Sequence, residues 1–466
     1  MAQILVDDVL REIFLHVANP NPFTGAYTIE GLHNLYPCIL VNKTWCSIAM
    51  PILWSQPFHF LKDKHEAGAA VINMYLRFLD DKELEYLFNQ GIDVSLMLNF
   101  SVHQSGRFQQ FYSDDSDSDY ESEHPTDSME VCEYRRPPMF NYPGFLRSLW
   151  YESMVQAVES WCSELSELMN PTPPEDEDED LIGNGERDMS ITSSSPMDEQ
   201  EDALVENAEF LLMRSILRTC LKRGSRLYGL FLNPDRLDKL NDEMYEMLLI
   251  DEEFKDLVSP VKSLEINGMI RKDKVYVMLG QRCRKLECLH IHNLWARSHD
   301  ERHIDNFAEA IGTLISSQYS LLYFTLSNCK AYTRAIILPL KYQSSSLRYV
   351  RFEQIDFRGC DPWESVAECK RIEFLEVYEC INLEEEMVAP VAKAKFGKGF
   401  EARYVSSHQC QGFREWVDKI SGGVRNDDGV PVGGLNGGTS AFVERIGISN
   451  GGFGVGRNGV WNIPSL

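Results

Sequence analysis

LRYVRF (347–352) and IEFLEV (372–377) place an aliphatic or aromatic residue at positions one, four and six of a short strand-like run, 25 residues apart. The pattern also occurs in LYGLFL (227–232), VKSLEI (261–266), LECLHI (286–291) and LLYFTL (321–326). Successive starts are separated by 34, 25, 35, 26 and 25 residues, so three intervals lie near 25 and two are longer, as in units carrying an insertion. A strand with its return helix cannot bury its apolar side alone, and stacked neighbours supply the missing core. The spacing predicts an α/β array of repeated strand-helix units over 203–404, with a first strand-helix unit at 136–170. A plain α/β domain with several buried strands is the alternative.

Side chains alternate along a strand, so positions three, five and seven point away from that core. Position three reads Ser263, Cys288, Tyr323, Tyr349 and Phe374; position five reads Glu265, His290, Thr325, Arg351 and Glu376; position seven reads Asn267, His292, Ser327, Glu353 and Tyr378. Aromatic rings flanked by mixed charge match the composition of protein-binding faces. Tyr323, Tyr349, Arg351, Phe374, Glu376 and Tyr378 are therefore the candidate binding surface for a protein. The competing reading is that neighbouring strands cover position three and the rings only pack.

Two other chemistries could use this face. His290 and His292, followed by His299 and His303, could suggest a metal, but an alternating strand explains the first pair without one. No metal or cofactor is expected. Cys288 beside His290 could suggest a thiol hydrolase, yet the sequence shows no orienting third residue or oxyanion donor.

The net charge of −26 is concentrated in two segments. Residues 114–130 hold eight acids and no Lys or Arg, and residues 175–202 hold twelve acids and one Arg. Dense like charge with few apolar groups cannot offset ordering entropy, so 113–135 is expected to be a disordered loop and 171–202 a disordered insertion. The Gly-rich tail 405–466 is expected to be mostly unpacked. Its Gly454, Gly456 and Gly459 form a chance G-x-G-x-x-G, with too little chain after it for the helix a phosphate site needs. No basic stripe supports nucleic-acid binding, and no apolar run approaches a membrane span. Twelve scattered cysteines, without a CxxC pair, read as reduced thiols of an intracellular protein. Residues 61–112 read as a helical connector, with helices over Ala69–Leu79 and Lys82–Gln90.

The N-terminal sixty residues carry the most specific pattern. VDDVLREIFLHV (6–17) sets Val9, Leu10, Ile13, Phe14 and Val17 along one helical face, and Asn19-Pro20-Asn21-Pro22 ends it. A second helix follows over Ile29–Val41, and LVNKTWCSIAMPILW (40–54) forms a third, with Trp45 inside it and Trp54 after Pro51. Residues 4–57 resemble an F-box. The repeats resemble leucine-rich repeats, with Cys329 and Cys380 where the cysteine-containing subclass carries Cys or Asn. Together they resemble an F-box protein of the leucine-rich type, such as those of the large fungal expansions.

The resemblance implies an N-terminal three-helix F-box over 1–60 followed by an α/β leucine-rich-repeat solenoid, in an α+β multidomain chain. It implies a substrate-recognition subunit of a Skp-cullin-F-box (SCF) ubiquitin ligase: non-catalytic, cytoplasmic or nuclear, bound to a Skp-family adaptor and through it to a cullin. Leu5, Asp8, Leu10, Ile13, Leu40, Val41, Trp45 and Trp54 occupy motif positions for the adaptor, and the repeats would take a protein substrate. Val6 stands where the family has a proline, a change expected to weaken the motif rather than abolish it. A repeat scaffold that works without ligase assembly is the alternative function.

Overall fold

Each of the six motifs contains a strand that begins at its third residue: β2 (Gly229–Leu232), β3 (Ser263–Asn267), β4 (Cys288–His292), β5 (Tyr323–Ser327), β6 (Tyr349–Glu353) and β7 (Phe374–Tyr378). Two more flank them, β1 (Ser148–Trp150) and β8 (Glu401–Val405). All pair in parallel and in chain order, giving one open eight-stranded sheet from β1 to β8. The computed structural model describes residues 2–20, 27–61, 65–98, 138–169, 196–234, 239–270, 272–294, 301–329, 333–358, 363–397, 399–405 and 411–420. The acidic loop 113–135 and the glycine motif at 454–459 lie outside them.

The register is in phase throughout, with Ser263 opposite Cys288, Cys288 opposite Tyr323, Tyr323 opposite Tyr349 and Tyr349 opposite Phe374. Positions one, four and six of all six motifs are 0–1% exposed, from Leu227, Leu230 and Leu232 to Ile372, Leu375 and Val377. Burying each such side chain stabilises by about 1.5–3 kcal/mol, so a slip of one residue would move the whole set out of the core. The two long intervals have separate causes. Between β2 and β3, a second helical turn (Lys255–Val258) follows the helix Lys239–Ile250. Between β4 and β5, the return helix Glu301–Ser316 has 16 residues where Asp273–Arg282 has 10.

Both strand ends use a repeated backbone device. At the leading end, the carbonyl of position two accepts two amides of the next unit: Lys262 from Glu287 and Cys288, Leu322 from Arg348 and Tyr349, Arg348 from Glu373 and Phe374. At the trailing end, position eight turns left-handed, with φ of 110° at Gly268, 55° at Asn293, 51° at Asn328, 52° at Gln354 and 48° at Glu379. Each of these amides donates to the position-seven carbonyl of the next strand, over 2.6–3.1 Å. Asparagine tolerates that conformation, and two asparagines extend the ladder with their side chains. Asn293 Nδ2 donates to Asn267 Oδ1, and Asn328 Nδ2 donates to Asn293 Oδ1, both at 2.6 Å. Cys329 and Cys380, just beyond, are buried.

Ahead of the sheet, α1 (Ala2–Ala18), α2 (Ile29–Ile39) and α3 (Lys43–Leu53) form a small unit. Thr28 caps α2 by accepting from the Gly31 amide, and Asn42 caps α3 by accepting from the Trp45 amide. Gly31 lets α1 and α2 touch, since a Cβ there would lie 2.0 Å from the Ala18 carbonyl oxygen. Phe14, Ala18, Leu32, Leu35, Ala49 and Ile52 make its core. α4 (His65–Leu76) and α5 (Asp81–Asn89) follow, α5 capped by Asp80 and closed at Gly91. α4 lies against the helix Tyr151–Met169 that follows β1, where Trp161 Nε1 donates to Asn73 Oδ1 at 2.7 Å. Two boundaries differ from the sequence reading. The helix Pro196–Lys222 begins inside the stretch read as disordered to 202, its first turns rich in acids that suit a helix N-terminus. A helix at Gln411–Ile420 follows β8, burying Phe413 and Val417, within the stretch read as tail.

If the asparagine ladder holds the trailing edge, Asn328→Val should destabilise the protein by about 2 kcal/mol, through the left-handed backbone cost and the lost rung. Asn328→Gly, which relieves the backbone, should cost less. Urea unfolding of both variants checks this; a glycine variant weaker than the valine one would refute it.

Candidate functional site

Two surfaces come forward: the outer face of α1–α3 and the open face of the sheet. On α1 the apolar residues divide into two stripes. Phe14 and Ala18 are buried, with Leu10 and Val17 half-buried beside them, whereas Val6, Val9 and Ile13 are about half exposed at 51%, 52% and 49%. Asp8, Val9, Glu12, Ile13, His16 and Val17 line a shallow groove along the helix. At the α2–α3 turn Leu40 and Val41 are 72% and 56% exposed, with Tyr36 exposed one turn earlier. Large apolar groups left this open on so small a unit mark an interaction surface more readily than a solvated one.

The motif residues therefore fall into different places. Asp8, Ile13, Leu40 and Val41 are exposed and Leu10 is half-buried; the Leu5 side chain lies outside the described residues. Trp45 packs its ring edge-on against Phe14, with centroids 5.2 Å apart, and serves the small core. Trp54 points away from the outer face, 4.3 Å from the ring of Tyr142 and 6.3 Å from that of Tyr75, because its helix ends against the sheet's first edge. Val6 and Val9 are exposed beside these residues but do not belong to the motif positions assigned to the adaptor. Their signal was the i, i+3, i+7 spacing of Val6, Val9 and Ile13, a second stripe next to the core-facing one.

The attachment of this unit is specific. The Ser55 carbonyl, two residues past α3, accepts the amides of Arg147 and Ser148 at 2.9 and 3.0 Å. It thus does for β1 what each strand's position-two carbonyl does for the next. Gln56, buried, accepts from the Tyr27 amide at 3.1 Å, which ties the loop before α2 to the same junction. His59 stacks on Trp150, and Trp150 on Phe231, with both centroid distances 4.1 Å.

On the sheet face the six assigned residues are gathered on three adjacent strands. Tyr349 and Phe374 stack with rings 5.3 Å apart and 2° from parallel, and Tyr323 lies 6.1 Å from Tyr349. The Arg403 guanidinium covers the far side of Phe374 at 5.2 Å. Parallel strands about 4.8 Å apart force rings at one position into such contact, so Tyr349 and Phe374 are buried and only Tyr323 of the row is half open. Below the row Arg351 pairs with Glu353 at 2.8 Å and with Glu376 at 3.3 Å, and the Tyr349 hydroxyl donates to Glu376 at 2.8 Å. These groups, with Tyr378, keep half their surface or less and form a shallow polar patch rather than a cavity.

His292 and Ser327 share a hydrogen bond. His290 is buried, and its Nε2 has no hydrogen-bond partner among the described residues. Burial, reinforced by His292 and Arg351, lowers its pKa to about 3, so it is neutral. Burial pushes the neighbouring Cys288 thiol up to about 12. Burial thus disfavours both the thiolate of Cys288 and the protonated form of His290. His299 and the His303 side chain lie outside the described residues, and among the described residues no group of three or more His, Cys, Asp or Glu could hold a metal. Among them, too, no helix is long and apolar enough to cross a membrane. No family model matches the chain, and no curated protein matches it.

The neutral His290 has a consequence for stability. In the unfolded chain it takes up a proton near pH ~6.5, while the folded chain refuses one down to a pH of about 3. Its contribution is present above the unfolded value and is lost as acid draws protons onto the unfolded state. Between pH 7 and pH 5 the wild type should lose more of its urea midpoint than His290→Gln; equal losses would place the acid sensitivity elsewhere.

Proposed function

We propose that this protein is a non-catalytic substrate-recognition subunit of a Skp-cullin-F-box type ubiquitin ligase, working in the cytoplasm or nucleus. α1–α3 is the F-box and binds a Skp-family adaptor, which brings a cullin; the strand-helix units are leucine-rich repeats whose sheet face takes a protein substrate. The observation that carries this reading is the exposed apolar set Val6, Val9, Ile13, Leu40 and Val41 on a helical unit bound to the sheet through Ser55. A unit that small buries only about 60% of its unfolded surface and gains from a partner that covers such a face. Leu10 and Trp45 support the motif from within, and Trp54 sets its orientation against the repeats. The in-phase parallel strands with asparagine and cysteine at their trailing ends support the repeat assignment. Substrate would meet Tyr323, Arg351, Glu376 and Tyr378, with Tyr349 and Phe374 stiffening the patch from beneath.

Co-expression of the full chain with a Skp-family adaptor tests the reading. The two should co-purify, and the double variant Ile13→Asp, Val41→Asp should weaken binding at least about tenfold, the scale of a hot-spot loss. Its thermal midpoint should stay near that of the wild type, because both side chains are exposed. Failure of the wild type to co-purify would sink the proposal; co-purification without cullin would favour a repeat scaffold outside the ligase.

A further inference from the structure

The turns that lead into the strands collect positive charge on a chain that is −26 overall. Arg147 leads into β1, Arg226 into β2, Lys285 into β4, Arg348 into β6, and Lys370 and Arg371 into β7. Because every strand is parallel and they follow in chain order, these turns line one edge of the sheet. Among the described residues of these turns the only carboxylates are Glu287 and Glu373, which pair with Lys262 at 2.7 Å and Arg348 at 2.5 Å. Among the described residues, Arg226, Lys285, Lys370 and Arg371 have no carboxylate partner. Arg147 donates only to the carbonyls of Gly144 and Leu146. Burial lowers its pKa, and although Tyr228 acts the other way, the guanidinium groups of Arg11 and Arg226 lower it further, so positive charges crowd there.

Toward β8 the rim sinks into a cavity of about 280 Å³ walled by Arg348, Lys370 and Arg371 with Ile372, Gly397 and Phe400; the one carboxylate lining it, Glu373, is paired with Arg348. The opposite, trailing edge carries Glu353, Asp356, Glu379 and Glu384, and the cations Lys272, Lys274 and Arg358 there are each paired with a carboxylate. An anion approaching the sheet is therefore drawn to one edge and repelled from the other.

We propose that this basic rim is a docking surface for the chain's own acidic segment 114–130. That segment holds eight acids and no Lys or Arg. The described chain resumes at residue 138, nine residues ahead of Arg147 at the rim's β1 end. Eight strands at about 4.8 Å spacing give a rim about 34 Å long, and the acidic segment, extended, reaches about 55 Å. The segment's last acid, Glu130, lies 17 residues ahead of Arg147, within tether reach of the rim, and its extended length exceeds that of the rim. Tethering on this scale supplies an effective concentration of millimolar order, which an untethered anion must exceed to displace it. The proposal does not depend on the ligase reading.

Zero-length carbodiimide cross-linking of the full chain, read by peptide mass spectrometry, tests it by joining carboxylates directly to lysines. Carboxylates of 114–130 should couple chiefly to Lys285 and Lys370. The yield should fall on the order of fivefold in Arg226→Glu, Arg371→Glu, as expected when two exposed cations are reversed. It should fall similarly for the wild type in about 0.5 M salt, where the Debye length is only a few ångströms; this arm stands even if the variant does not fold. Coupling spread equally to Lys43 and Lys82 on the helical part would overturn the proposal. So would rim lysines joined to 175–202 instead, or yields that ignore both salt and charge reversal.

Discussion

From β1 to β6, the carbonyl two residues into each unit takes two amides from the next, and the order of the sheet depends on that repeated bond. It sets register at the leading edge, and the left-handed residue at position eight sets it again at the trailing edge. With both ends fixed, positions one, four and six cannot leave the core, and three, five and seven cannot avoid the open face. The first strand has no preceding strand to serve it. Ser55 takes that place, so the exposed edge of the sheet is closed by the chain leaving α3. The helical unit is thereby held in one orientation instead of swinging on a linker.

The strands were legible because their apolar period is unambiguous: LRYVRF and IEFLEV differ at every position, yet both are apolar at one, four and six. The two long intervals were legible as insertions, though not as a longer helix in one case and an added turn in the other. The position-eight ladder could have been noticed, since Gly268, Asn293 and Asn328 are residues that accept positive φ. Gln354 and Glu379 hide it, because their side chains give no such signal and the neighbouring strands impose the conformation. The role of Ser55 could not be read at all. A serine after a tryptophan carries no pattern, and its carbonyl acts only once β1 is beside it.

The candidate surfaces show the same division between what local sequence fixes and what packing decides. Alternation correctly put Tyr349 and Phe374 on the open face, but stacking at the spacing of parallel strands removed most of their surface, leaving Tyr323, Arg351 and Glu376 as the polar margin. On α1, the pattern treated as one apolar face is two: Phe14 enters the small core, while Val9 and Ile13 on the adjoining stripe remain open. Neighbouring helices, not hydrophobicity, separate the two. The chain's net acidity likewise conceals a sheet with a basic leading edge, since charge summed over sequence says nothing of where parallel turns converge.

In the proposed function, α1–α3 presents its open apolar set to an adaptor while the sheet face is left for another protein. Hydrogen exchange of the full chain with and without a Skp-family adaptor measures this directly. Adaptor should slow exchange in residues 2–18 and 36–41 and leave β4–β7 unchanged. Unchanged exchange in α1 with protection appearing on β4–β7 would contradict it, for the adaptor would then occupy the face assigned to substrate.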